Sequence, residues 1–462
     1  MNFLSGEVFR RGLFRIIITV LLAYICLLPF YYFPYFNFIG GYKLPLLKYF
    51  PLGLIFCLLF LSLYYNSAAW HVVFSSRMNR LVWMVFLATL LSGLGTFYYP
   101  ISVMKNVYFG MTGIMVYFIL ISWQLKKPDV EYFLNVFVVI GGIVSVYGII
   151  SFLLGRDFWF TQMAVTDHIA IRQYIIDPLY DNHLRGGRIS STLSNPHVLG
   201  TFLSFVLPFS IYCCASAQGR RRLLFFRSVA LTIIVAILLT FSFGASLSAA
   251  AFLFYAWCSG ALYGGEGWNK ISRKIGLMLI VLLAGGVFLR IMGFVLIFFG
   301  VNIPERVGRF DVGFIVQLDR FYHRWDSIQL AWGCFLDHVW FGIGSGIISR
   351  GLTVLYKDNL DNFYSTAMVE YGIVPLCVMT LLFFVFIIKI IRTFRRGVAN
   401  KPLVITLLLS WGSFFINMSF WDAYYHPVIR ICFWFSMAMI FALLQPTKEA
   451  RKIVITSATG KF

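Results

Sequence analysis

Arginines, an aspartate and a few short polar segments stand out in this otherwise apolar chain. Arg188 opens RISSTLSNPHVLG (residues 188–200), whose turn-forming pair Asn195–Pro196 sits at the lip of an apolar run. Arg320, His323 and Arg324 follow one another at three- and four-residue spacing in RFYHRWDSIQLAWGCFLDHVWF (320–341), so they share one helix face. A guanidinium stays charged at any working pH and grips phosphate through two parallel hydrogen bonds, which suits these arginines to an anionic headgroup. Surface pairing with neighbouring aspartates is the alternative. Asp361 opens DNFYSTAMVEYG (361–372), where a carboxylate at a membrane surface can accept a proton from a hydroxyl. It can also cap the following helix, with Asn362 and Ser365 completing the first turn.

Three more ionisable sites lie within apolar stretches, where charge is costly in lipid and turns to the protein interior. Glu370 is one, and Arg290, which needs a partner, is another. Asp422, His426 and Arg430 in WDAYYHPVIR are spaced at four and predict a single polar stripe on the last apolar helix. The glycine-rich FGIGSG (341–346) lacks the strand–helix context of a nucleotide loop and is not read as one.

The elements that position these residues follow from composition. The chain of 462 residues is 60% hydrophobic and 12% charged, with mean hydropathy +0.83. Soluble domains carry about 25% charged residues. Apolar runs recur along the whole length without barrel alternation, which predicts an all-α polytopic membrane protein of about twelve spans. The later spans are expected at 366–389, 402–420 and 425–444, and one at 275–301 holds Arg290. Most of the 38 basic residues fall in alternate short loops. The positive-inside rule then places both termini in the cytoplasm and makes the net charge of +20 a topology signal, with no nucleic-acid partner. The eight cysteines show neither a disulfide framework nor zinc spacing, and no metal or cofactor is expected.

Within one transmembrane domain spanning 1–462, two longer segments, 155–195 and 302–365, face outward and are rich in charge and aromatics. Their tryptophans predict folded caps rather than disordered loops. In the second, Phe321, Trp325, Ile328, Trp332, Phe335 and Val339 form one stripe of an amphipathic helix, which either lies on the bilayer surface or packs over the bundle.

Four of these segments, in this order, carry a resemblance. RISSTLSNPHVLG, LLTFSFGASLS (238–248), RWDSIQLAWGCFLDHVWFGIGSG (324–346) and DNFYSTAMVEYGIVPL (361–376) are similar to motifs of the O-antigen ligase and polymerase family, membrane glycosyltransferases with a GT-C-like fold. The resemblance covers residues 188–372; the first 150 match in hydropathy alone. It implies transfer of a glycan from undecaprenyl pyrophosphate to a sugar hydroxyl at the periplasmic face of the bacterial inner membrane, without a metal. It further implies Arg324 and Asp361 as catalytic residues, and Arg188 and Asn195 as binding residues. Arg320, His323, Asn362, Arg290, Glu370, His426 and Arg430 join them as binding candidates on their own chemistry and position. Membrane lipid and a chain-length regulator are the remaining expected partners. The chain departs from the family pattern in two places. Phe243 stands where the family has an arginine, and Asp361 stands where ligases carry histidine, which points to the polymerase branch. A flippase would line many helices with mid-span charge, whereas here the charge gathers in two outer segments.

Overall fold

The computed structural model describes residues 3–27, 29, 35–37, 43–45, 55–61, 63–64, 73–74, 76–94, 100–123, 125–154, 189, 191–193, 195–258, 306–307, 310–311, 318–344, 362–395, 400–421 and 423–444. They are predominantly helical: α1 (Phe3–Leu27), α2 (Arg77–Leu94), α3 (Pro100–Ser122), α4 (Lys127–Leu154), α5 (Pro196–Ser216), α6 (Arg220–Leu239), α7 (Phe243–Cys258), α8 (Leu318–Asp337), α9 (Phe363–Tyr371), α10 (Ile373–Arg395), α11 (Lys401–Met418) and α12 (Pro427–Leu443). Two short antiparallel ribbons pair β1 (Tyr35–Asn37) with β2 (Lys43–Pro45) and β3 (Arg306–Val307) with β4 (Phe310–Asp311). Among the described residues α4, α5, α6, α10 and α11 are long and apolar enough to cross a membrane, as expected of a multi-pass membrane protein. The expected span at 275–301 lies outside the described residues.

The fold centres on α5, which is almost wholly buried among α4, α6, α7 and α11. Its packing is aromatic. Phe205 stacks on Phe414 of α11 at 4.9 Å between centroids and meets Phe137 of α4 edge-on at 5.4 Å. Small residues admit close helix approaches: a side chain at Gly141 would come within 2.9 Å of Val206. A second buried helix, α12, runs beside α3 in parallel. Gly113 lies against the Trp434 indole, and Tyr117 meets both Trp434 and Phe441 edge-on.

The helices have two unlike ends. Arg77, Lys127, Arg220–Arg222, Arg395 and Lys401 stand at one, within the terminal turns of α2, α4, α6, α10 and α11. The other end holds the starts of α5, α7, α9 and α12 and the ends of α4, α6 and α11, linked by contacts described below.

The structure corrects two expectations here. The span expected at 366–389 is two helices: α9 stops at Tyr371, and α10 restarts at Ile373 after Gly372, whose φ is +72°. The polar stripe expected for Asp422, His426 and Arg430 does not form on one helix, because α12 begins only at Pro427. Ala423–Tyr425 form a 3-10 turn, His426 occupies the cap position, and Asp422 lies outside the described residues. Proline at the first helical position explains the late start, since its missing N–H costs nothing there.

The break at Gly372 generates a prediction. An added methyl group at Gly372 would sit 2.5 Å from the Gly342 nitrogen and 2.7 Å from the Phe341 nitrogen, in a backbone conformation that L residues rarely adopt. Gly412 in α11 has open space around it. Gly372→Ala should cost about 2 kcal/mol or more, read as a lower thermal unfolding midpoint in detergent. Gly412→Ala should leave the midpoint unchanged or raise it. Equal midpoints for the two variants would contradict the assigned break.

Candidate functional site

Two pairs of sequence segments meet at the end opposite the basic residues. In the first pair, residues 189–200 pack against residues 239–245. The Ile189 N–H donates to Leu239 O at 3.1 Å, and Ser191–Leu193 form a 3-10 turn whose Ser191 hydroxyl donates to Val144 O at 2.7 Å. Asn195 then caps α5 by accepting the His197 N–H at 2.8 Å, with Pro196 pre-set for the first turn. Gly200 brings α5 close to the start of α7, where a side chain would come within 2.8 Å of Ala245 and 3.1 Å of Ser242. The His197 Nδ1 and Ser242 Oγ are 3.3 Å apart.

In the second pair, residues 339–344 close over the break between α9 and α10. An unbroken helix would bond the Ile373 and Val374 amides to the carbonyls of Val369 and Glu370. Instead those amides donate to Val339 O (2.7 Å) and Trp340 O (3.1 Å). The Val369 and Glu370 carbonyls accept from the amides of Ile343 (2.9 Å) and Gly344 (3.0 Å). The Ser92 hydroxyl of α2 lies 2.8 Å from both Phe341 O and Glu370 O. Every hydrogen bond lost at the break is thus replaced, as a low-dielectric environment requires. The glycine-rich stretch serves as this cover: a side chain at Gly342 would strike the Val369 and Glu370 carbonyls at 2.4 Å.

Residues 421–430 join the pairs. Trp421 Nε1 donates to Thr201 Oγ1 at 3.0 Å, and its ring stacks on His197 with centroids 5.9 Å apart. On the other side, Phe363 of α9 meets the rings of Tyr424 and Tyr425 at 5.2 and 5.8 Å, and Tyr371 stacks on Tyr425 at 6.2 Å. Arg430 lies beneath these tyrosines at 1% exposure. Its Nε donates to Tyr424 O at 3.0 Å, and its guanidinium stands 5.0 Å over the Tyr424 ring. Gly110 of α3 leaves room for it, since a side chain there would touch its Nη1 at 3.5 Å.

The residues expected from sequence are distributed unevenly over this site. Asn195 and Asn362 both cap helices: Asn362 Oδ1 accepts from the Tyr364 N–H at 2.9 Å and from the Ser365 N–H at 3.4 Å. Asn362 therefore takes the capping position expected for Asp361. The latter lies outside the described residues, together with Arg188 and Arg290. Glu370 is fully buried in the last turn of α9, facing the interior as its cost in lipid demands. His426 is half-buried at the start of α12. Arg320, His323 and Arg324 are in α8, whose later turns rest Ala331 and Phe335 against Val369 of α9. Only part of the expected apolar stripe on α8 is buried: Phe335 packs, whereas Ile328 and Trp332 are exposed. The helix therefore covers the bundle with one edge of its apolar face and leaves the other outward.

Sequence reasoning missed His197, Trp421 and Tyr424. For His197 a signal existed, because the residue after a capped Asn–Pro pair sits in the first turn of a helix with its side chain at the surface of the site. Among the described residues no three His, Cys, Asp or Glu side chains cluster as metal ligands would.

The bond from Trp421 to Thr201 couples the two halves of the site and can be measured. Trp421→Phe and Thr201→Val should each lower stability by about 1 kcal/mol, and the double variant should lose much less than the sum. Additive losses in a detergent unfolding cycle would mean that the two side chains do not interact.

Compared with known proteins, the chain matches no protein-family model and no curated sequence, so its functional reading rests on its own residues.

Proposed function

We propose that the protein is a polysaccharide polymerase of the O-antigen type. It joins undecaprenyl-pyrophosphate-linked oligosaccharide repeats at the periplasmic face of the bacterial inner membrane, with about twelve spans and both termini in the cytoplasm. The observation that carries this reading is convergence. The first, second and fourth resembling segments (189–200, 240–248 and 362–372) and the glycine-rich end of the third come together at one end of the bundle, bridged by Trp421, Tyr424 and Tyr425. A shared site requires motifs scattered over nearly two hundred residues to meet in this way.

In the proposed reaction an acceptor sugar hydroxyl attacks the anomeric carbon of the donor glycan. The bond from that carbon to the pyrophosphate oxygen breaks, and the electron pair leaves with the lipid pyrophosphate. Asp361 accepts the hydroxyl proton. Arg324, assisted by Arg188, Arg320 and His323, stabilises the charge developing on the leaving group. Arg320, His323 and Arg324 belong to α8, whose later turns lean on α9 beside the break. Phe243, at the position of the family arginine, packs edge-on against Phe420 at 4.7 Å and brings no charge there.

The test uses purified protein in detergent with lipid-linked repeat units, a chelator and no other acceptor. A ladder of lengthened glycans is expected. Arg324→Ala and Asp361→Ala should each slow it by about 100-fold or more while folding normally. No ladder, followed by a single shift once lipid A-core is added, would make the protein a ligase instead. A full ladder from Asp361→Ala would remove that residue from the mechanism.

A further inference from the structure

Two cavities between the helices adjoin, and their linings differ. The first, about 30 Å³, lies next to Arg430 and is bounded by Thr89, Gly110, Tyr371 and Tyr424. The second, about 210 Å³, lies between residues 56–63, α2 and α3, and is lined entirely by apolar side chains, including Phe60, Trp83, Met115 and Phe118. Phe86, Met111 and Ile114 line both. Arg430 and Gly110 stand near the site end of α12 and α3. Met115 and Phe118 are one to two turns further along α3 toward the basic end. The pair of cavities therefore forms one cleft with a cationic head near the candidate site and an apolar tail running down into the membrane. Phe56, Phe60 and Phe74 at the tail are exposed, so the cleft opens sideways to lipid.

We propose that this cleft holds the polyprenyl chain of a lipid phosphate, with the anionic end of the lipid directed to Arg430. The inference rests on the polymerase reading for the choice of lipid and on the cleft for its place. An apolar cavity of this kind stays dry and takes hydrocarbon. At about 210 Å³ it is smaller than the pockets of roughly 300–1,000 Å³ that enclose drug-sized ligands. It takes a segment of one hydrocarbon chain, and competition with bilayer phospholipid separates a polyprenyl chain from an acyl chain. The head cavity has room for one or two water molecules. Only water fits beside Arg430, so the phosphate stands outside the head cavity and Arg430 acts on it through those waters. The Tyr424 carbonyl and ring hold the guanidinium in place for this, and the low dielectric strengthens its pull. Tyr371 belongs both to the cavity wall and to the fourth resembling segment, so a lipid bound here delivers its head to the candidate site.

The test measures binding without chemistry. The protein in nanodiscs receives a photoactivatable polyprenyl phosphate that carries no sugar, and the crosslinked peptides are mapped. Crosslinks should fall in α2, α3 and residues 55–64. Ile114→Phe and Met115→Trp, which fill the tail, should reduce labelling, and Arg430→Met should weaken binding about tenfold. Labelling spread over the helix exteriors, or displaced equally well by excess bilayer phospholipid, would overturn the proposal. Should filling variants misfold, unlabelled polyprenyl phosphate must still compete with the probe on the unmodified protein, and failure to compete would also overturn it. Localised binding without polymerisation would refute the polymerase reading and leave the cleft standing. Polymerisation with no labelling in the cleft would do the reverse.

Discussion

Inside a bilayer no water is present to bond an exposed amide or carbonyl, and this single constraint organises the molecule. A helix that breaks there must have its lost bonds supplied by another part of the chain. The break at Gly372 meets the demand by exchange: two amides and two carbonyls of the α9–α10 junction pair with residues 339–344. That exchange fixes the glycine-rich turn, which follows directly on α8 and so ties the cover helix to the bundle. Remove the break and α8 keeps only the Ala331 and Phe335 packing on α9; remove the turn and four backbone groups are left unpaired at a cost of several kcal/mol each.

The same logic explains the polar side chains between α5, α7 and α11. Asn417 Nδ2 donates to Ser204 Oγ (3.2 Å), Ser248 Oγ (3.0 Å) and Ser413 O (2.8 Å), so one amide touches three helices. Hydrocarbon offers no hydrophobic reward for bringing apolar helices together, and small residues with a few interhelical hydrogen bonds take over that role. Gly200 and Gly244 sit beside this network and allow the approach. The rigidity this confers matters at the site end, because His197, Ser242 and Trp421 stand one to two turns from it.

Much of this was legible in the sequence, and the failures have a common cause. Hydropathy reports whether a segment suits lipid, so the helical class, α5 and the basic end followed from composition alone. It is blind to a kink inside an apolar run, because Glu370–Tyr371–Gly372 lowers the average too little to separate α9 from α10. Residue spacing misled in the same way at Asp422, His426 and Arg430. A four-residue period means one face only if a helix exists throughout, and the Pro427 start denies it. Capping went to Asn362 over Asp361 because a cap is decided by which residue leaves helical geometry, a tertiary outcome. The Trp421 contacts had no sequence signal, since they bring together residues 220 positions apart.

Charge arrangement ties the fold to the proposed chemistry. The helices α5, α7, α9 and α12 all begin at the site end, and each helix start carries a partial positive charge of about half a unit. None of these starts has an acidic residue in its first turn to offset it. Arg430 adds a full charge one turn below, held where water is scarce. The ends of α4, α6 and α11 meet these helix starts there with partial negative charge of similar size, so the helix termini largely offset one another and the side chains set the field. Under the proposed reaction, fixed positive side chains would favour the state in which the leaving oxygen has gained charge over the state in which it has not. Glu370, two turns beyond the Asn362 cap and fully buried, does not meet solvent, which is why the proposed proton acceptor is sought before the start of α9 and not at its end.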